Sequence, residues 1–230
     1  MQAKSDSDVK TLTSAIQTST LGLLALLLGF TFSMSMQRYD QRSHALINET
    51  AAIEKASFQV QMLPEDMQNK AYSMLERYLA LRITIGEVDI TQVERRAQLN
   101  VEINQLHHAM WDLAKEAAKL DAESFNASSY FSAIEGLIEA QFKRNALLQI
   151  RVPEVVLFLL FCVFLSAGGI LGYSSGLSNK RILVPTMIVT FLITLIITVI
   201  IDLDRPKRGF IQVDKSSLQQ LSKELKSNNR

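Results

Sequence analysis

The chain has 230 residues, 48% of them apolar, with 24 lysines and arginines against 23 acids, one cysteine and a formal net charge of +1. So even a balance leaves no electrostatic footprint for nucleic acid, and a single cysteine excludes a disulfide framework. The informative feature is where charge is missing. No Asp, Glu, Lys or Arg occurs from Thr11 to Gln37, from Val155 to Asn179 or from Ile182 to Ile201, and each window approaches or exceeds the roughly 20 residues that cross a bilayer core as helix.

The first window follows Lys4 and Lys10, an arrangement shared with secretory signal peptides, and Ser33-Met34-Ser35 is a weak small-x-small cleavage site. Its apolar stretch from Leu21 to Met36 is at the upper end for a signal core and runs on into a helical pattern. A signal anchor or true span is the expectation. Residues 38–154 then carry 13 Lys/Arg and 17 Asp/Glu, a density that belongs in water. No Gly or Pro interrupts Arg38 to Leu63, and Leu63-Pro64-Glu65-Asp66 stops that helix and starts another, with its acids in the first turn where the dipole favours them. The second helix is expected to reach about Ile85 and close at Gly86, and Thr91-Gln92-Val93-Glu94 fits a capping box opening a third.

That third helix carries Leu99, Ile103, Leu106, Met110, Leu113, Ala117 and Leu120, an alternating four-three spacing that requires a partner helix. After a polar break at Ser124 to Ser129, a fourth helical run from Tyr130 to Val152 places Tyr130, Ile134, Leu137, Ile138 and Phe142 on its apolar side. Pro153 introduces the second span. A short loop at 174–181 joins it to the third, which ends in the abrupt sequence Ile201-Asp202-Leu203-Asp204-Arg205-Pro206. The tail repeats leucines at Leu218, Leu221 and Leu225, a weaker amphipathic pattern that reads as a short surface helix.

Catalytic signals are nearly absent, and an enzyme is the least favoured class. His107 and His108 are adjacent, so on a helix they diverge by about 100° and cannot chelate as an i, i+4 pair would. Cys162 lies mid-membrane, where a thiol behaves as a small apolar group. The spans say more. Gly168, Gly172 and Gly176 in span two, with Ala25 and Gly29 in span one, offer small faces for close helix packing, within the chain, between subunits or around a pore. Thr186, Thr190, Thr194 and Thr198 form a slanted ridge along span three that leads to Asp202. It reads either as a packing ridge, each hydroxyl returned to the carbonyl four residues back, or as a wettable face lining a permeation path. Thr31 and Ser35 near the end of span one are the other candidate pore-lining pair.

An interfacial charge cluster comprises Arg38, Arg42, Asp202, Asp204, Arg205 and Arg208. Carboxylates at a helix carboxyl end face the negative pole of the dipole and need cations or donors to answer them. Pro206 forbids continuation of the helix and Gly209 permits a turn, so the chain is set to bend back where Arg38 or Arg42 can meet the acids. The two arginines can instead be lipid-facing anchors, or a ring of positive charge in an oligomer.

Gly29-Phe30-Thr31, then Gln37-Arg38-Tyr39-Asp40-x-Arg42 and Glu49, resemble the first conserved block of the bestrophin-like family of bacterial membrane proteins of unknown function. Leu203-Asp204-Arg205-Pro206-x-Arg208-Gly209 resembles its closing block, and Leu63-Pro64 and Arg77-Tyr78 fall where that family tends to have a Leu-Pro and an aromatic after a helix. The resemblance spans roughly residues 21 to 213; Met36 and Lys207 depart from it, standing where the family often has an aromatic residue. It implies a helical membrane protein grouped with bestrophins, whose well-studied members are pentameric ion channels with a pore lined by helices of every subunit.

The expected fold is all-α: an integral membrane protein with three transmembrane helices continuous with a cytoplasmic helical bundle of four helices. Residues 1–37 form the amino-terminal segment and first span, 38–152 the bundle, 153–203 spans two and three, and 204–230 the tail. Cations near span ends are Lys4, Lys10, Lys180 and Arg181 on one side, and Arg38, Arg42, Lys143, Arg144, Arg151, Arg205, Lys207, Arg208 and Lys215 on the other. The positive-inside rule therefore puts bundle and carboxyl terminus in the cytoplasm and the amino terminus outside, in a bacterial inner membrane. The leading functional expectation is an oligomeric channel-like protein conducting an inorganic ion passively, its partners lipid and copies of itself, without cofactor or metal. The alternative is a non-conducting scaffold or sensor whose bundle binds a partner or ligand.

Overall fold

The computed structural model describes residues 2–89, 91–120, 125–177, 183–205, 211 and 213–228. Among these are seven helices and no strand: α1 (Gln2–Val60), α2 (Glu65–Glu87), α3 (Val93–Leu120), α4 (Phe125–Gln149), α5 (Glu154–Leu177), α6 (Leu183–Asp204) and α7 (Ser216–Asn228). They fall into two compact units, one of residues 1–39 and 150–211, the other of residues 40–149 and 212–230.

The first unit holds the amino-terminal part of α1 together with α5 and α6, and three helical segments of the chain are long and apolar enough to cross a membrane. Its internal core is small, made by Leu24, Leu28, Leu160, Ala167 and Ile200. Most of the large side chains, among them Phe30, Phe158, Phe161 and Phe191, point away from the chain. That pattern suits helices whose solvent is hydrocarbon, because lipid removes the penalty that water would set on exposing them.

The second unit is built on one repeated register. On α3, Leu99, Ile103, Leu106, Met110, Leu113 and Ala117 are all buried, as the spacing predicts, while the side chain of Leu120 lies outside the described residues. The same four-three alternation runs through Arg42, Leu46, Glu49, Ile53, Ala56 and Val60 of α1, through Ala71, Leu75, Tyr78, Arg82 and Ile85 of α2, and through Tyr130, Ile134, Leu137, Gln141 and Arg144 of α4, and every one of these is buried. α3 packs against both α2 and α4. Trp111 and Phe131 seal the α3–α4 contact with ring centroids 4.5 Å apart.

Several local expectations are revised. The predicted stop at Pro64 holds: Leu63 N–H closes a turn onto the Val60 carbonyl at 3.0 Å, and α2 begins with Glu65 and Asp66. Gly86, however, does not close α2. The helix runs to Glu87 and ends because Val88 is extended, and no described glycine has positive φ. Thr91 does not form the capping box, since its hydroxyl and amide both turn back to donate to Asp89 Oδ1, at 2.7 and 2.8 Å. α4 starts at Phe125, within the expected break, because small polar residues such as Ser128 and Ser129 are tolerated in a first turn. Phe142 is 73% exposed, its expected inward place being taken by Gln141 and Arg144.

The tail is the largest revision. α7 is not a surface helix laid on from outside but part of the bundle core, with Leu218, Leu221 and Leu225 buried and α2 its neighbour. Lys215 Nζ donates to the Gly86 carbonyl at 2.7 Å, so a cation satisfies a carbonyl in the last turn of α2, where the dipole favours it. Thr50 Oγ1 lies 3.4 Å from Ser217 Oγ. Truncating Leu221 to alanine is expected to cost about 2–5 kcal/mol of bundle stability. The check is denaturant unfolding followed by the fluorescence of Trp111, the chain's one tryptophan.

Candidate functional site

The most constrained group in the bundle is Glu49, a carboxylate with no exposed surface. Tyr78 and Arg82 are four residues apart on α2 and so share a face. Tyr78 Oη donates to Glu49 Oε1 at 3.0 Å; Arg82 Nε donates to the same oxygen, and Arg82 Nη2 donates to Oε2 at 3.1 Å. Arg144 Nη1 of α4 donates to Oε2. Four donors thus fill the roughly four acceptor positions a carboxylate offers. Arg82 is 3% exposed, and its planar fork matches the two oxygens.

Charge follows from this geometry. Burial alone would raise the Glu49 carboxyl, but the Arg82 and Arg144 guanidiniums outweigh it and hold the group below its ordinary value. Burial likewise opposes charge on Arg82, and Glu49 overrides it, raising Arg82 further. Burial and the Glu49 charge together push Tyr78 well up, so it stays a neutral donor. His107 stacks on Tyr78 with ring centroids 5.3 Å apart, and its Nε2 is buried without a hydrogen-bond partner among the described residues. Burial, then the Arg82 charge, with His108 adding to them and Glu49 opposing, pull His107 down to about 4. His108, as its angular offset requires, is exposed and meets the Asn104 carbonyl through Nδ1 at 2.8 Å. Among the described residues no group of three or more His, Cys, Asp or Glu is placed to hold a metal ion.

The residues singled out in the spans divide sharply. Thr31 and Ser35 are buried within the chain, at 1% and 0% exposure; Thr31 donates to the Leu27 carbonyl at 2.7 Å, whereas Ser35 Oγ and the neighbouring Arg38 Nε have no hydrogen-bond partner among the described residues. Thr190, Thr194 and Thr198 are exposed, and the latter two return their hydroxyls to the carbonyls of Thr190 and Thr194 at 2.8 Å. Gly29, Gly168, Gly172 and Gly176 are exposed too, and a Cβ added at any of them would meet nothing within 4 Å.

At the end of α6, the acids that motivated the charge cluster answer backbone donors. Asp204 Oδ1 accepts from Val152 N–H at 2.8 Å, and Asp202 Oδ2 from Ile211 N–H at 2.9 Å. Each therefore ties the end of α6 to a neighbouring stretch of the same unit, which offsets its unfavourable place at the carboxyl end. Arg42 Nε donates to the Leu147 carbonyl at 3.4 Å, Arg205 is exposed, and Arg208 lies outside the described residues.

Two outcomes follow. Glu49→Gln removes the charge that answers two buried guanidiniums and is expected to cost about 3–5 kcal/mol in denaturant unfolding, whereas methionine at positions 49, 82 and 144 together restores much of it. For His107 the folded value lies below the unfolded one of about 6.5, so the unfolded state binds protons more readily between the two. Its contribution is then complete above about pH 6.5 and declines as pH falls toward 4, by at most about 1.4 kcal/mol per pH unit. His107→Phe is expected to remove that decline, read as the change in unfolding midpoint between pH 7 and pH 5.

A family model for the bestrophin-like domain matches residues 2–218. A crystal structure of a bacterial bestrophin homolog from Klebsiella pneumoniae, obtained by Zn-SAD phasing, superposes with a TM-score of 0.74 at 14% identity, covering 94% of this chain and 87% of that one. A variant of the Klebsiella pneumoniae homolog gives 0.75 at 14% identity with the same coverage, and a crystal structure of a membrane protein gives 0.76 at 13%. No curated protein matches. The matched model covers nearly the whole chain, the helices follow the same fold, and three apolar segments are built to span a bilayer: this all-α integral membrane protein belongs to the bestrophin-like family.

Proposed function

We propose that the chain is the subunit of an oligomeric, channel-like protein that conducts an inorganic ion passively across a bacterial inner membrane. The observation that carries this reading is the open face of α1. Along its membrane part Thr11, Ala15, Thr18, Gly22, Ala25, Gly29 and Ser33 follow one another every three or four residues, and all are exposed in the single chain. A file of small and hydroxylated side chains in a membrane helix marks where another helix, or water, comes close.

A residue that lines an axis shared between subunits must be exposed in each subunit. By that criterion the α1 file and, on the α6 ridge, Thr194 and Thr198 are lining candidates. Thr31 and Ser35, turned into their own chain, instead help hold α1 in place. Ile47, Phe58, Met62 and Phe142 leave apolar surface on the bundle that neighbouring subunits would cover. The cation count at the span ends supports a cytoplasmic bundle and carboxyl terminus.

The test is ion flux in liposomes reconstituted with the purified full chain. Flux is expected, with Gly29→Leu and Ser33→Leu each lowering it by a factor of about ten or more while leaving assembly intact. Absence of flux for every ion, pH and calcium level tried would overturn the proposal.

A further inference from the structure

Between the three membrane helices lies a half-open groove of about 260 Å³, lined by Leu24 of α1, by Phe164, Gly168 and Gly169 of α5, and by Thr190 and Ile193 of α6. We infer that this groove is a binding site for one acyl chain of a phospholipid.

Three considerations select the occupant. The lining is carbon apart from Thr190, and a water needs two to four polar partners, so the groove is not a hydration site. An α-helix with its side chains is about 10–12 Å across, too thick to enter so small a volume, whereas a single file of methylenes fits it. Depth is the third. Thr190 lies seven residues into α6 from Leu183, and Gly168 nine residues before the end of α5 at Leu177, which at 1.5 Å per residue puts the groove about 10–14 Å below that end of both helices. In a hydrocarbon core about 30 Å thick this is acyl-chain depth, out of reach of a headgroup.

Gly168 and Gly169 form part of the groove's α5 wall. Among the described residues, a Cβ at either would meet nothing within 4 Å, so this wall leaves room beside it for a further group. Left empty, its walls would forgo dispersion contacts that a chain from the adjacent leaflet supplies. Occupancy joins α1, α5 and α6 through a lipid where the chain's own core is thin.

The experiment places the full chain in vesicles containing a phosphatidylethanolamine with a diazirine in its acyl tail, followed by photolysis and mapping of adducts by mass spectrometry. Adducts are expected to concentrate several-fold on Phe164–Leu171 and Thr190–Ile193 over Phe158 and Phe161, which are exposed on the same α5 helix. Gly168→Phe, which adds a ring to the groove wall, is expected to reduce them several-fold. Labelling spread evenly over α5, as for ordinary annular lipid, would overturn the inference, as would no labelling of the groove because a neighbouring subunit fills it. So would displacement of the probe by free fatty acid but not by unlabelled phospholipid.

Discussion

A carboxylate with no exposed surface, held by four donors from two other helices, sets the terms for the bundle. Glu49 on α1 reaches Tyr78 and Arg82 on α2 and Arg144 on α4 only in one register, because a slip of one residue rotates a side chain by about 100°. Taking these charges out of water is costly, and an apolar triad of similar volume would serve stability as well or better. What apolar residues would not supply is the alignment. Leucine seams tolerate a neighbouring register, whereas the guanidinium fork of Arg82 does not.

The two units answer to different solvents. In the bundle, burial of apolar seams drives assembly and the ion pairs select among arrangements. In the membrane unit the surrounding lipid is as apolar as the side chains, so little is gained by tucking Phe158 or Phe191 inside, and the core shrinks to a few residues. Contacts there must come from shape and from the few polar groups, which is why Asp204 at the amide of Val152 matters out of proportion to its size. The same reasoning explains why the small residues of α1 and α5 stay uncovered in a single chain: lipid sets no penalty on leaving them exposed.

Helix type and order were legible because charge-free windows, prolines and a four-three leucine pattern are local signals. On α3 the spacing from Leu99 to Ala117 coincides with the buried seam. Glu49, Arg82 and Arg144 do not stand out as a group in the sequence because each is an ordinary charged residue until placed on a seam; extending the α3 alternation to the other helices marks all three as polar intrusions at core positions. The direction of Thr31 and Ser35 was not legible at all, since an apolar span has no polar face to orient it. Gly86 and Thr91 each fit a common capping role, but α2 ends where Val88 turns extended, and the neighbouring Asp89 takes the Thr91 hydroxyl and amide.

α7 also has a consequence for the order in which the protein is made. The bundle core is discontinuous in the chain, its last leucines separated from residues 40–149 by both remaining membrane helices. While α2 emerges, the surface that α7 will cover stays bare, and it remains so until α5 and α6 have been synthesised. Completion of the bundle is thereby linked to the membrane hairpin that precedes α7, and a chain stalled before Ser216 presents an unfinished core to chaperones and proteases.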